Sequence, residues 1–258
     1  MRAIILAAGR GNRLQQQPGE QIPKCLLKFG GHSLLERHLL LLAAAGVREI
    51  VLVLGFHREM VEAEIRQLDI ARQLVISTVV NERFTLGSVL SVQVAAEPLT
   101  RAGDVLLMDA DVLYDARIMR ALAAGAAPSN RILIDRGFEP GDEPVKVCVQ
   151  DGVPVELRKQ LAPGLEYDTI GESVGFFRMD EHCARRFAQI VQGYIDTDRA
   201  GLPHEEAVRD LLLERSQSWQ IADVTGCPWV EIDFPEDVVR AQERILPRLT
   251  ALTGEVHA

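Results

Sequence analysis

Four short stretches of this sequence carry residues whose types and spacing suit phosphate and metal chemistry. The first is Leu6-Ala7-Ala8-Gly9-Arg10-Gly11-Asn12-Arg13-Leu14. Small residues let the backbone approach a ligand closely, and successive loop N–H groups form a concavity for anions. Arg10 and Arg13 can each fork onto phosphate oxygens. The stretch lacks the third glycine of a dinucleotide fingerprint and the Gly-Lys-Ser/Thr of a P-loop. A plain turn after a first strand would look much the same. The second stretch is Pro23-Lys24, in which the proline ring restrains the backbone so that the lysine enters a defined geometry. Here the plainer alternative is a surface lysine.

The third stretch is Asp109-Ala110-Asp111 and the fourth is Asp233. On an extended strand, Asp109 and Asp111 point the same way. Neighbouring carboxylates repel unless a cation sits with them, and Mg2+ suits carboxylates combined with phosphate oxygens. The same pair occurs in metal-dependent glycosyltransferases, so it does not fix the reaction alone. Asp233 stands just before Phe234-Pro235, where it could equally cap the helix that follows. Asp115 is the better candidate for capping after the Asp109–Asp111 pair. Lys146, between Val145 and Val147, projects away from the core if the valines face it.

Together these residues resemble the nucleotidylyltransferases that couple nucleoside triphosphates to sugar phosphates and related phospho-alcohols, along nearly the whole chain. Within that family the likeness is greatest to the phosphocholine and inositol-1-phosphate cytidylyltransferases. It rests on the four stretches above, with Gly55-Phe56, Asn81, Gly87-Ser88, Val145-Lys146-Val147, Gly175-Phe176-Phe177 and Trp229–Asp233. The resemblance implies that Arg13 and Lys24 grip the triphosphate and that Asp111 and Asp233 hold Mg2+. It implies a nucleotide site built from Leu6, Ala7, Ala8, Gly9 and Gly11, with Asn81, Gly87, Ser88 and Asp109. It makes Lys146 a second phosphate contact, to the acceptor or to the product's diphosphate bridge.

The implied reaction moves a nucleoside monophosphate, CMP from CTP being favoured, onto a small phospho-alcohol or phosphonate such as phosphocholine and releases pyrophosphate. The acceptor oxygen is already an anion at neutral pH, so the task is screening and alignment rather than base catalysis. For the acceptor side we expect Glu172, Trp229 and Glu231, with Tyr114, Tyr167, Trp219, Glu205 and Glu206 as further aromatic and acidic groups in that half. One alternative is a sugar- or inositol-1-phosphate nucleotidylyltransferase using another triphosphate. A second is a metal-dependent glycosyltransferase, against which the Gly9–Arg13 loop and Lys24 argue. His32, His57, His182, His204 and His257 show no motif spacing and read as surface or structural residues.

These groups need elements to position them. Strands are expected at Arg2–Leu6, Glu49–Leu54, Leu74–Val80 and Asp104–Asp109, alternating with helices at Ser33–Ala45, Arg58–Leu68 and Ser88–Ala96. That alternation implies right-handed crossovers in a sheet whose ligands lie beyond the strands' carboxyl ends. Pro144–Val149 and Val153–Leu157 flank Asp151-Gly152 as a hairpin, and Gly137–Glu143 reads as a loop. Ser173–Met179 and Trp229–Asp233 read as strands, and Glu181–Asp198, His204–Arg215 and Pro235–Leu246 as helices. The fold class is therefore α/β, a three-layer Rossmann-like mixed, mostly parallel sheet with helices on both faces. We expect a single domain over 1–258, with 1–125 binding the triphosphate and 126–258 the acceptor.

The 258 residues are 47% hydrophobic and 25% charged, enough to bury a full core, and the net charge of −9 argues against nucleic acid or an anionic membrane as partner. The expected partners are a nucleoside triphosphate and a small phosphorylated acceptor; a homodimer is compatible with the sequence. Four scattered cysteines fit neither a zinc cluster nor a disulfide framework. With no basic, apolar leader pattern at the start of the sequence, the expected location is the cytoplasm.

Overall fold

Alternate residues of the first strand belong to different cores. In the computed structural model, which describes residues 1–14, 21–125, 130–214, 216 and 218–252, β1 (Arg2–Ala7) sends Ala3 and Ile5 into one apolar layer and Ile4 into the other. A strand buried on both faces reads as a continuous apolar run, which is how Ala3-Ile4-Ile5-Leu6 reads. A two-residue hairpin, β2 (Lys28–Phe29) and β3 (His32–Ser33), leads into α1 (Leu34–Ala44), capped by the Ser33 side chain accepting from the Glu36 N–H. Then come β4 (Glu49–Leu54), α2 (Arg58–Gln67), β5 (Val75–Val80), α3 (Ser88–Val94), α4 (Ala96–Thr100) and β6 (Val105–Asp109). β1 pairs in parallel with β4 and β6, and β4 with β5.

The second half begins with β7 (Val112–Tyr114) and α5 (Ala116–Ala123), whose first turn is capped by Asp115. β8 (Asn130–Asp135), β9 (Lys146–Gln150), β10 (Val153–Arg158) and β11 (Thr169–Met179) follow, then α6 (Glu181–Asp196), α7 (His204–Leu213), β12 (Trp219–Asp223), β13 (Trp229–Glu231) and α8 (Pro235–Arg240). The sheet order is β5-β4-β1-β6-β11-β9-β10, with β8 and β12 attached through β11. β11 runs antiparallel to β6, β8 and β9, so a mixed sheet spans both halves of the chain. α1 and α5 cover one face through Leu35, Leu39, Ile118 and Met119; α3, α6 and α7 cover the other through Val89, Phe187 and Val208. The architecture is the expected α/β, Rossmann-like three layers.

Several boundaries differ from the sequence reading for local reasons. The helix expected over Ser88–Ala96 breaks at Ala95 into α3 and α4. The closing helix is α-helical only to Arg240 and continues as a wider π turn over Ala241–Ile245. The strand expected to run to Asp233 ends at Glu231, pairing with β7 apart from the main sheet. Arg215, the expected end of α7, and His257 lie outside the described residues. Among the described residues no helix is long and apolar enough to cross a membrane, and all four cysteines carry free thiols.

Candidate active site

The carboxyl ends of β1 and β6 open into a cleft of about 310 Å³. The loop after β1 forms one wall through Ala7, Ala8, Gly9 and Gly11, with Leu6 at its base. Gly11 has φ +66°, and a Cβ there would stand 3.0 Å from Lys24 Cγ, so glycine serves both the turn and the passage of the lysine stem. Gly87 and Ser88 form the opposite wall. A Cβ on Gly87 would collide with the Leu202 carbonyl, so glycine is what allows the α3 entry to lie against the loop before α7.

Lys24 is the centre of the charge arrangement. Its Nζ donates to Asp233 Oδ1 at 2.6 Å and to Asp111 Oδ2 at 2.9 Å. Burial opposes the ammonium charge, but the two carboxylates override it and hold the Lys24 pKa above the ordinary lysine range. Arg13 Nη2 reaches Asp233 Oδ2 at 2.8 Å, while its Nη1 meets Glu143 at 3.2 Å and its guanidinium lies over the Phe234 ring. Residues 209 and 220 positions apart in sequence are thereby in direct contact. One oxygen each from Asp111, Glu231 and Asp233 lie within 4.8 Å of one another. Glu231 keeps much of its surface open to solvent, and the neighbouring charges of Asp111 and Asp233 push its carboxyl above the usual range. Three carboxylates crowded this closely are a donor set suited to a hard divalent cation.

The structure separates Asp109 from Asp111, contrary to the expectation that they share one face of a strand. β6 ends at Asp109, and the chain bends at Ala110-Asp111 before β7. Asp111 therefore joins Lys24, whereas Asp109 Oδ1 faces His204 Nε2 at 3.9 Å. Burial and the nearby charge of Glu205 push the Asp109 carboxyl well up. Gly175, at φ +77°, makes room for it: a Cβ there would stand 2.6 Å from Asp109 Oδ2.

A second, larger cavity of about 770 Å³ adjoins the cleft and shares Glu231 and Asp233 with it. Glu172 on β11 and Trp229 on β13 line it. The Trp229 indole N–H donates to Asp135 Oδ2 at 2.9 Å. Burial and then the charge of Asp135 push the Glu172 carboxyl up to about 7. The aromatic wall is not the one expected. Tyr114 packs in the core against Phe176 and His38, Trp219 is buried on β12, and Phe138 and Phe234 join Trp229 instead.

Other expected site residues take supporting positions. Asn81 is buried; its amide donates to Ser91 Oγ and its oxygen accepts from the Arg83 N–H, fastening the loop that leads to Gly87. Lys146 Nζ contacts the carbonyls of Gly141, Pro144 and Lys159, holding the 137–144 loop that walls the larger cavity. Arg10 turns away to Gln21 and lies 5.7 Å from the Phe56 ring centroid. Glu206 pairs with Arg158. His204, read from sequence as surface or structural, lines the cleft with Glu205. Its signal lay in Pro203-His204-Glu205-Glu206, a helix start where one imidazole and two carboxylates fall within a single turn.

Comparison with known proteins defines the class. The model of the MobA-like NTP transferase domain matches residues 3–173, and the chain belongs to that family. It is 31% identical over 251 residues to CMP-5'-(3-aminopropyl)phosphonate synthase of Streptomyces rubellomurinus, covering 96% of this chain and 39% of that protein. It is 25% identical over 254 residues to the bifunctional IPC transferase and DIPP synthase of Aquifex aeolicus, covering 98% of this chain and 53% of that one. The chain thus spans about half the length, or less, of these relatives. The solved structure of the inositol-1-phosphate CTP transferase from T. maritima superposes with a TM-score of 0.72 at 20% identity, over 97% of this chain and 98% of that chain.

Proposed function

We propose that this chain transfers CMP from CTP to a small phosphorylated or phosphonate acceptor and releases pyrophosphate. The observation that carries the reading is the Lys24 ammonium, held by Asp111 and Asp233 at the carboxyl ends of β1 and β6 beside the Gly9–Gly11 loop. A triphosphate entering that loop meets backbone N–H groups, Lys24 and Arg13, which together screen the repulsion between two anionic reactants. Asp111, Asp233 and Glu231 would hold Mg2+, which when bound neutralises triphosphate oxygens and polarises the reacting phosphorus. Lys24 then exchanges its carboxylate partners for phosphate oxygens, and Arg13 swings within reach of the same group. Leu6 to Gly9, Gly87 and Ser88 enclose the nucleoside, with Asn81 setting the shape of that wall.

The acceptor enters from the larger cavity, whose shared wall with the cleft brings its phosphate oxygen beside the metal carboxylates. Glu172, Asp135 and the Trp229 face suit an acceptor with a cationic far end, such as an aminophosphonate or phosphocholine. Lys146 serves that side by anchoring the loop. The four free thiols support a cytoplasmic enzyme.

A pyrophosphate-release screen tests the reading. CTP, UTP, GTP and dTTP would be crossed with aminoethylphosphonate, phosphocholine, inositol-1-phosphate and hexose-1-phosphates. Turnover is expected with CTP and an amine-bearing acceptor. A nucleoside diphosphate product without pyrophosphate would sink the reading, and preference for a hexose-1-phosphate would move the acceptor class.

A further inference from the structure

The Lys24 cluster leaves one imidazole nitrogen of the same cleft without a partner. His204 is 2% exposed, and its Nε2 is buried and makes no hydrogen bond. Its other side is well provided. Nδ1 lies 3.1 Å from Ser88 Oγ and 3.2 Å from Glu205 Oε2, and the His204 backbone N–H donates to Ser88 Oγ at 2.8 Å. With the Nδ1 proton donated to the Ser88 hydroxyl, Nε2 is left as a bare lone pair; Glu205 Oε2, likewise buried, makes no hydrogen bond.

That lone pair faces Asp109 Oδ1 across 3.9 Å. Two acceptors at this separation are too far apart for a hydrogen bond and repel one another. An ion bound at about 2.1 Å from each would bridge them, the two ligands drawing together by roughly half an ångström to reach a tetrahedral angle. Asp109 is available, because Lys24 is committed to Asp111 and Asp233 and no side chain donates to Asp109 among the described residues. Metal-binding histidines show a similar division, with one nitrogen on the ion and the other held by a hydrogen-bonding partner that fixes the ring, here the Ser88 hydroxyl.

We propose that His204 Nε2 and Asp109 form a second divalent-cation site, with Ser88 orienting the imidazole, Glu205 in reach as a further carboxylate, and open positions left for water or substrate oxygens. An imidazole donor selects a first-row transition ion such as Mn2+ or Zn2+ over Mg2+. The site is distinct from the Asp111–Glu231–Asp233 carboxylates and lies on the wall of the nucleotide cleft beside Ser88. It rests on ligand geometry and not on the proposed reaction.

The full chain, stripped with EDTA and without nucleotide, is titrated with Mn2+ while the free ion is followed by electron paramagnetic resonance. Pulsed measurements then look for 14N coupling from imidazole. The expected result is a bound ion with nitrogen coupling; His204→Gln abolishes the coupling, and Asp109→Asn weakens the same ion at least tenfold. Asp233→Asn removes a different ion and keeps the nitrogen signal. Circular dichroism melts check that each variant is folded, and Asp109→Asn keeps the test open if His204→Gln disturbs α7. Bound Mn2+ without nitrogen coupling overturns the proposal, as does coupling that survives in His204→Gln. Nitrogen-coupled binding in a chain that releases no pyrophosphate would support this site while counting against the transfer reading.

Discussion

The carboxylate of Asp237 accepts the backbone N–H groups of Asp233 at 2.9 Å and Phe234 at 2.7 Å, closing the α8 N-terminus that Asp233 would otherwise cap. The Asp233 side chain is thereby free for Lys24 and Arg13. Asp237→Ala should cost about 1 kcal/mol of stability, the usual worth of a helix cap. It should also lower turnover, because the Asp233 backbone would lose the contact that fixes its carboxylate beside Lys24 and Arg13. Urea unfolding and pyrophosphate release measured together check this; unchanged turnover in a destabilised variant would limit Asp237 to capping.

Lys24 balances two carboxylates before any substrate arrives and is their shared donor. Lys24→Ala should reduce kcat by roughly 10²- to 10³-fold, the effect of losing a preorganised charge at the transition state. Lys24→Arg should recover little, since a planar fork cannot reproduce a compact ammonium between two oxygens. Wild-type rates in either variant would refute the site. Both variants should retain the native circular dichroism spectrum, because the apolar layers do not depend on Lys24.

Gly87 brings the start of α3 against the Gly201–Leu202 backbone, where a Cβ would overlap the Leu202 carbonyl. Gly87→Ala should push this wall outward and raise KM for the triphosphate several-fold while changing kcat less. Substrate-saturation curves separate the two, and an unchanged KM would mean that the wall does not touch the nucleotide.

The parallel half of the fold was legible because its strands are buried on both faces and separated by helices with clear apolar stripes. β8 escaped notice because it opens with Asn130 and Arg131, both polar and both buried. Asn130 donates to the Ser218 carbonyl and accepts from the Asp180 N–H, and Arg131 donates to the Ala121 and Ala124 carbonyls and the Gln220 side chain, partners that come together only in the assembled fold. The site was legible by residue type and not by geometry. Asp111 and Asp233 were named, but the bend that parts Asp109 from Asp111 has no sequence marker. Nor does the choice of Phe138 and Phe234 over Tyr114 and Trp219, which depends on packing across the sheet.

His38 is fully buried, with Nδ1 3.2 Å from the Tyr114 hydroxyl, and burial pushes its pKa down to about 4. The unfolded chain, with an imidazole near 6.5, takes up the proton first as pH falls. Stability from neutral His38 is therefore complete above about pH 7 and is lost progressively between about 6.5 and 4, amounting to roughly 3 kcal/mol. His38→Gln should flatten this part of the stability profile, because glutamine carries no proton to exchange. Urea midpoints of both proteins at pH 7.5, 6 and 5 give the comparison, and parallel profiles would rule His38 out as the cause.

Glu172 provides the corresponding handle on substrate choice. Burial and Asp135 push its carboxyl up to about 7, so it is largely protonated at pH 6 and largely a carboxylate at pH 8. An acceptor with an ammonium tail keeps its charge over that range and should bind better as Glu172 ionises. We expect kcat/KM for aminoethylphosphonate or phosphocholine to rise roughly tenfold from pH 6 to pH 8, the change in carboxylate fraction around that pKa. The acceptor phosphate also titrates near pH 6, so a phospho-alcohol with an uncharged tail serves as the control for that step. Glu172→Gln should remove the extra rise for the cationic acceptor and leave the control profile unaltered. Equal pH profiles for charged and uncharged tails in the wild-type protein would show that Glu172 does not read the acceptor's cation.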